Sequence, residues 1–422
     1  MTPLDFARQA RWRVAAFLAV AAALNYADRA AMSAVLAAVR TEFAVSDVQL
    51  GLLGSLFLWS YALGSPLAGS LADRFSRTKI VFGSLAAWSA VTALMGLASG
   101  FPMLLALRFS LGVAECLFLP AAVALIADYH PASTRARAMS FITIGINCGM
   151  VVGGGFTGYM AEHHGWRSGF WILGVGGIIL AWVGTRMMPP ALKPVGSETG
   201  AKAKRGSFVA AIKYLARAPS YYALLLESML SGFGMWVFFT WLPLYFRDTY
   251  HMTLAGAGFA GTFMLQVAVM LGIFVGGIIS DRVAGHAPQR RMMLYGIFYL
   301  AAAPFLLLFL GRPEFPVVAV GIAAFSFLRG LGQANDNPTQ CEVVPSQFRA
   351  TGIGIMNCVS TAAGGCGVLV VGFLKGTLGL EAIFAAISGI FLVAGTVLLI
   401  GYRYFMPRDI VRAQAMEQPV LG

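Results

Sequence analysis

Charged side chains are scarce in this chain. Asp, Glu, Lys and Arg make up 11% of its 422 residues and apolar residues 58%, where a soluble domain carries roughly 25% charge. That balance excludes an ordinary soluble enzyme or binding module. Acid is scarcer than base, at 18 against 30 residues. The basic excess does not point to nucleic acid, because it is shared out among loops. Five cysteines (Cys116, Cys148, Cys341, Cys358, Cys366) form no CxxC pair and are odd in number. We expect them to be buried packing residues rather than a disulfide framework. Five histidines fall at loops, so no metal site and no cofactor is expected. No nucleophile–base–orienter set is visible either, which argues against an enzyme. The N-terminus lacks the cleavage pattern of a secretory leader, so its first apolar run is expected to be retained.

What the chain has is long apolar runs. About 20 apolar residues cross the hydrocarbon of a bilayer. Twelve such runs are expected, near 14–38, 49–72, 79–98, 102–127, 138–161, 168–188, 221–246, 255–280, 291–311, 316–341, 350–374 and 381–405. The basic residues alternate between the intervening loops, 21 on one side and 5 on the other. The positive-inside rule then places both termini in the cytoplasm of a bacterial inner membrane. The polar stretch 189–218 joins them there. It reads as a linker between an N-terminal six-helix bundle (1–188) and a C-terminal one (219–422), with an amphipathic piece at 207–217. The fold class is therefore all-α membrane protein.

Six charges sit where hydrocarbon should be: Asp28 and Arg29 in the first run, Arg108 and Glu115 in the fourth, Arg329 and Asp336 in the tenth. Such residues are costly in lipid and usually serve substrate or ion movement. The two halves also repeat. Gly69–Arg74 recurs at Gly277–Arg282, Pro131 with Arg135 recurs at Pro345 with Arg349, and the Arg-x6-acid spacing of Arg108/Glu115 recurs at Arg329/Asp336. The offsets are 208, 214 and 221 residues, near half the chain. Internal repeats of this kind are typical of secondary transporters, with the site between them.

At these residues the chain resembles the major facilitator superfamily. Gly69-x-Leu-Ala-Asp73-Arg74-x-x-Arg77-x-Lys79 is similar to that superfamily's loop signature, and Gly277–Arg282 to its second copy. Within it, Asn25-Tyr26-Ala-Asp28-Arg29, Phe57-x-Trp59-x-Tyr61 and Arg108-x6-Glu115 resemble the anion:cation symporter family. That resemblance implies proton-coupled movement of an organic acid. Ser46-Asp47-x-Gln49, Trp88-Ser89 and Thr92-Ala-Leu are similar to bacterial Spinster-type transporters, which implies a lysolipid or other amphiphile instead. A transporter-like sensor is a third reading. The 17 residues after Phe405 leave it little room for a signalling domain.

Roles follow from side-chain chemistry. Arginine grips a carboxylate through two parallel hydrogen bonds, so Arg29 and Arg108 are the expected anion holders. Asp28 and Glu115 are the expected proton carriers. Glu115 pairs either with Arg108, seven residues back, or with Arg29 on another helix, and either pair is open to a purely structural reading. Tyr26, Tyr61 and Asn357 are expected to shape the pocket. Asp336, Arg329 and Asn335 are secondary candidates, binding a cation or substrate or simply satisfying a bent helix. Glu227 is open to a snorkelling, gating or coupling role. Asp73, Arg74, Arg77 and Asp281 are expected to pair across the two halves as a gate. The expected partners are a small organic anion, protons and lipid, with no nucleic acid and with the chain a monomer.

Overall fold

The computed structural model describes residues 3–187, 208–285, 287–311 and 313–417, with only the backbone at 3–10, 67, 69, 70, 72–74, 132 and 417. Most of the expected linker lies outside the described residues. Those described form helices and turns, with no strand among them. In the first half α1 spans Pro3–Phe43, α2 Asp47–Arg74, α3 Arg77–Met95, α4 Phe101–Glu115, α5 Phe118–Tyr129, α6 Ala132–His163 and α7 Trp166–Met187. Then come α8 (Phe208–Leu215), α9 (Pro219–Tyr250), α10 (Leu254–Ala284), α11 (Arg290–Ala302), α12 (Phe315–Gln333), α13 (Asp336–Val343), α14 (Arg349–Tyr404) and α15 (Met406–Glu417).

Eleven stretches among the described residues are long and apolar enough to cross a membrane. The last of them, Ser346–Tyr404, is two spans in one, because α14 bends at Gly379 with φ 75°. Glycine takes that left-handed conformation at no steric cost. Twelve crossings result, as expected. Phe274, Val320, Trp182 and Phe373 are among the large apolar side chains left exposed. Lipid suits them where water would not. The expected amphipathic piece is α8, whose Tyr214 hydroxyl donates to the Val343 carbonyl at 3.1 Å. Helix α15 was not expected. Its Asp409 accepts the backbone N–H of Ser220 at 2.8 Å and so ties the chain's end to the start of α9. The expectation that all cysteines are buried fails for Cys148 and Cys366, which are exposed. In a bilayer an apolar thiol loses nothing by facing lipid.

The fourth and tenth spans are broken, and at matching places. Helix α4 stops at Glu115 and α5 begins at Phe118; α12 stops at Gln333 and α13 begins at Asp336. Each break lies just before a proline, Pro120 or Pro338. Proline has no N–H for the carbonyl four residues back, here Cys116 or Ala334, and its ring clashes with that carbonyl. Both in-span acids therefore sit at the edge of a helix interruption.

Close helix approach sets the position of α1. Gly145, Gly149 and Gly153 on α6 face the backbone at Ala19, Ala23 and Ala27 on α1, and a β-carbon at any of the three would come within 2.4 Å of it. Small residues every fourth position let two helices touch through their backbones. Asn25, Asp28 and Arg29 are held on the turns beside that seam.

The described chain divides into two compact units. One contains 1–200 with 239–263 and 368–373, and the other contains 201–238, 264–367 and 374–422. One end each of α9 and α10 and a short stretch inside α14 thus belong with the first unit. Among them, Arg40 of α1 makes two bonds to the Asp248 carboxylate of α9, at 3.1 and 2.9 Å.

Candidate functional site

In the first unit, residues of one face of α1 meet α2 and α4. Asn25 and Arg29 are one turn apart, as are Phe57 and Tyr61, so each pair shares a face. Arg29 Nε donates to Glu115 Oε2 at 2.9 Å, and its NH2 donates to Asn25 Oδ1 at 3.2 Å. Both partners of the ion pair are buried, Arg29 at 5% exposure and Glu115 at 1%. The guanidinium is walled by aromatic rings, with Tyr26 at 4.5 Å, Tyr61 at 4.6 Å and Phe57 at 5.2 Å. A cation over such a face gains about 0.5–2 kcal/mol per ring, most where water is excluded.

Arg108 takes a different role from its neighbour. It lies 4.6 Å from the Phe57 ring and donates through Nε to the Leu53 carbonyl at 3.4 Å. One of its terminal nitrogens, NH1, has no protein partner. Its distance from Glu115 along α4, seven residues or roughly 10 Å of axis, is too long for an ion pair. Of the two pairings open in the sequence, the structure holds the one with Arg29. Asp28 points a third of a turn away and accepts from Thr92 Oγ1 of α3 at 3.1 Å, while its second oxygen is unpartnered. Glu115 Oε1 is unpartnered as well. A buried polar atom without a partner costs about 1–3 kcal/mol. With Asn25 Nδ2, four such atoms stand in this cluster.

The second unit has its own buried polar cluster. Glu227 of α9 is 1% exposed. Its carboxyl stands near the Tyr295 and Tyr299 hydroxyls of α11, in the field of Asp336 and Arg329, and its Oε1 has no protein partner. Asp336 accepts from Gln340 Nε2 at 2.6 Å rather than from Arg329, whose Nε is unpartnered. Asn335 donates to the carbonyls of Leu331 and Gly332 at 3.2 and 3.3 Å, at the helix break. Of its open roles, satisfying a bent helix is the one its contacts serve.

Of the expected site residues, Tyr26, Asp28, Arg29, Tyr61, Arg108 and Glu115 come together in the first unit. Asn357 is exposed on α14 and belongs to the second. The side chains of Asp73 and Arg74 lie outside the described residues. Arg77 and Asp281, expected to pair across the halves, find partners nearer by. Arg77 of α3 bonds Asp128 and the Ala124 carbonyl of α5, the latter at 3.2 Å, and Asp281 lies 3.6 Å from Arg291. Each starts or ends a helix beside a short loop, so the closest opposite charge is on the same half. Sequence reasoning did not assign Asn25, Phe57 and Thr92 roles of their own, although all three stand in quoted motifs. It left Tyr295 and Tyr299 aside altogether. Nothing in one helix signals that its tyrosines meet an acid some seventy residues away.

Buried acids and guanidiniums inside twelve apolar spans, two of them interrupted, are typical of secondary transporters. The Major Facilitator Superfamily profile matches residues 18–364, and the chain belongs to that superfamily. It is 24% identical over 411 residues to the "Probable galactarate/D-glucarate transporter GudP" of Escherichia coli (strain K12), spanning 88% of each chain. A protein of the same description from Bacillus subtilis (strain 168) is 28% identical over 305 residues, 67% of each. The "Probable anion transporter 4, chloroplastic" of Oryza sativa subsp. japonica is 26% identical over 402 residues, 92% of this chain and 67% of the relative. Among solved structures, a bacterial homolog to the human lysosomal transporter Spinster, inward-facing and unoccupied, superposes with a TM-score of 0.76. It is 22% identical and covers 98% of this chain and 99% of its own, and so shares the fold.

Proposed function

We propose that this protein carries a small organic anion of the sugar-acid class across the bacterial inner membrane by alternating access, coupled to protons and in the direction of import. The observation that carries this reading is the buried Arg29–Glu115 ion pair beside Arg108, whose NH1 has no partner. With every group ionised, Asp28 and Glu115 balance Arg29 and Arg108. An uncompensated charge in such a place costs several kcal/mol. A proton on Glu115 breaks its pair and leaves the cluster with one positive charge in excess. A bound carboxylate cancels that excess. A second proton, on Asp28, makes room for the second carboxylate of a diacid. Proton and anion are thus bound together because neither alone leaves the site neutral.

Each side chain has a place in that cycle. Arg29, released from Glu115, offers its planar fork to the carboxylate, and Arg108 supplies a second donor. Tyr26 and Tyr61 hold the guanidinium in position through their rings and present hydroxyls to the polyol part of a sugar acid. Asn25 steadies Arg29 through NH2, so its orientation survives the loss of Glu115. Loss of the proton restores the ion pair and expels the anion. Relatives described as galactarate/D-glucarate transporters support the substrate class. Arginine, rather than lysine, at both cationic positions supports a planar carboxylate as the group recognised.

The test is uptake of radiolabelled D-glucarate into proteoliposomes holding the purified chain. A gradient acid outside should drive accumulation, and an uncoupler should abolish it. Uptake that ignores the gradient, or the absence of any binding of sugar acids in a thermal-shift titration, would falsify the proposal.

A further inference from the structure

We propose that α8 and α15, both in the second unit, form one platform that lies on the bilayer surface and binds anionic phospholipid headgroups. Both are short helices that flank spans. Helix α9 begins at Pro219, just after α8 ends at Leu215, and α15 begins at Met406, just after α14 ends at Tyr404. The two short helices are tied together. Arg412 of α15 donates to the Arg217 carbonyl, in the turn after α8, at 2.7 Å, and its guanidinium lies 5.2 Å from the centre of the Tyr214 ring. Asp409 adds the bond to the Ser220 N–H at 2.8 Å.

Each helix divides lengthwise into three stripes, in the same order around its axis. In α8 and the turn after it, Ala211, Tyr214, Leu215 and Ala218 are buried against the protein. Beside them Phe208, Ile212 and Ala216, four residues apart, are exposed, and beyond those come Lys213 and Arg217, also exposed. The helical path carries on through the turn, where the N–H groups of Ala216 and Arg217 still bond the Ile212 and Tyr214 carbonyls at 2.8 and 2.9 Å. Helix α15 repeats the layout. Met406, Asp409, Ile410 and Ala413 are buried, and Pro407, Val411 and Ala415 are exposed at the same four-residue step. Arg408 and Arg412 follow one residue on. Residues four apart share a helix face and successive residues are about 100° apart, so a basic stripe runs beside an apolar one on both helices.

Water does not suit the apolar stripes, where Phe208 is 64% and Val411 66% exposed. A helix with one face on the protein, one apolar stripe and one basic stripe fits the plane of a membrane interface, with the apolar stripe in the acyl boundary and the bases among headgroups. Charge then selects the lipid. Over 208–220 and 403–416 the bases are Lys213, Arg217, Arg403, Arg408 and Arg412, and the only acid is Asp409. That acid is buried and already accepts from Ser220. A basic surface without an exposed acid attracts anionic headgroups and gains nothing from neutral ones.

The test uses no sugar acid, so its result is independent of the proposed transport function. The full chain in detergent is titrated with phosphatidylglycerol, phosphatidylcholine or inorganic phosphate, and bound lipid is counted by native mass spectrometry. Phosphatidylglycerol should be retained in preference to phosphatidylcholine, and inorganic phosphate should not displace it. Removing the exposed bases by Lys213→Gln, Arg217→Gln and Arg408→Gln should weaken phosphatidylglycerol binding by about fivefold for each charge removed. The matched set Lys79→Gln, Arg137→Gln and Arg282→Gln, exposed bases away from the platform, should weaken it far less. Equal losses in the two sets, or no preference for the anionic lipid, would overturn the proposal. A second measurement leaves the charges in place. Spin labels at Ile212→Cys and Val411→Cys, in a chain whose own cysteines are replaced by alanine, are read in phosphatidylcholine vesicles with and without phosphatidylglycerol. Collisions with oxygen should exceed those with a water-soluble nickel chelate, and more so with the anionic lipid present. Labels open to the chelate in both vesicles would overturn the proposal, as would dipolar coupling between labels of two chains, which would make the face a contact between copies.

Discussion

The two halves of this transporter bury charge in opposite ways. The first unit buries two guanidiniums and two carboxyls, of which Arg29 and Glu115 pair, and with every group ionised that cluster is neutral. The second buries Glu227 and Arg329 with Asp336 half-buried, and tyrosine hydroxyls rather than a second arginine accompany Glu227. The repeat in the sequence is therefore a repeat of position and not of chemistry. Arg108 and Arg329 are equivalent, and so are Glu115 and Asp336, but Arg29 has no counterpart in the second cluster. The proposed coupling of proton to substrate rests on the half that carries the extra arginine.

Several measurements break or sharpen this contrast. The largest effect is expected from Arg29→Ala, which strips the first cluster of its balance and its anion holder. Truncating one member of a buried charge pair costs about 2–5 kcal/mol. D-Glucarate affinity, read by calorimetry, should fall by at least about thirtyfold, and an unchanged affinity would remove Arg29 from the site. Arg108→Ala should lose a comparable amount.

Next in size is Glu115→Gln, which fixes the first cluster in its protonated charge state. Binding of D-glucarate should persist and lose its pH dependence, exchange across the membrane should continue, and uphill accumulation should stop. Continued gradient-driven uptake would take the coupling role away from Glu115.

The third comparison is one of sign. At alkaline pH, Asp28→Asn leaves the first cluster with an excess positive charge, whereas Asp336→Asn leaves the second with a matched Glu227 and Arg329. Thermal unfolding should therefore occur at lower temperature in the first variant and at equal or higher temperature in the second. The same sign in both would end the contrast between the halves. The smallest effect is expected outside both clusters, at the half-exposed Arg40–Asp248 pair. Exposed ion pairs are worth about 0.2–1 kcal/mol. Asp248→Asn should shift cysteine-accessibility labelling at this end of α1 and α9 by only a few-fold, with binding affinity intact.

Much of the candidate site was legible in the chain because charge inside an apolar run is conspicuous. Asp28, Arg29, Arg108 and Glu115 stand out for that reason alone, and the repeat offsets tie the fourth span to the tenth. A bent helix at Asn335 and Asp336 was among the expectations; the matching break before Pro120 needed coordinates to be noticed. The Arg-x6-acid spacing suggested a partner for Glu115 within its own helix. Seven residues keep two side chains on one face but leave them far apart along it, so the bond goes to a neighbouring helix instead. Glu227 looked ambiguous for the same reason. Its position along α9 is local information, and its burial behind Tyr295 and Tyr299 is not.

The sequence by itself determined that twelve spans form, that they form two related sets, and which spans carry charge, because the bilayer's demand for apolar length and for few charges acts on each segment separately. The tertiary structure decided which acid meets which arginine, which acid meets none, and where hydroxyls take a cation's place. Those pairings depend on a few ångströms of lateral approach between helices distant in the chain. That approach is set by glycine seams such as the one between α1 and α6, and the period of any single helix carries no record of it.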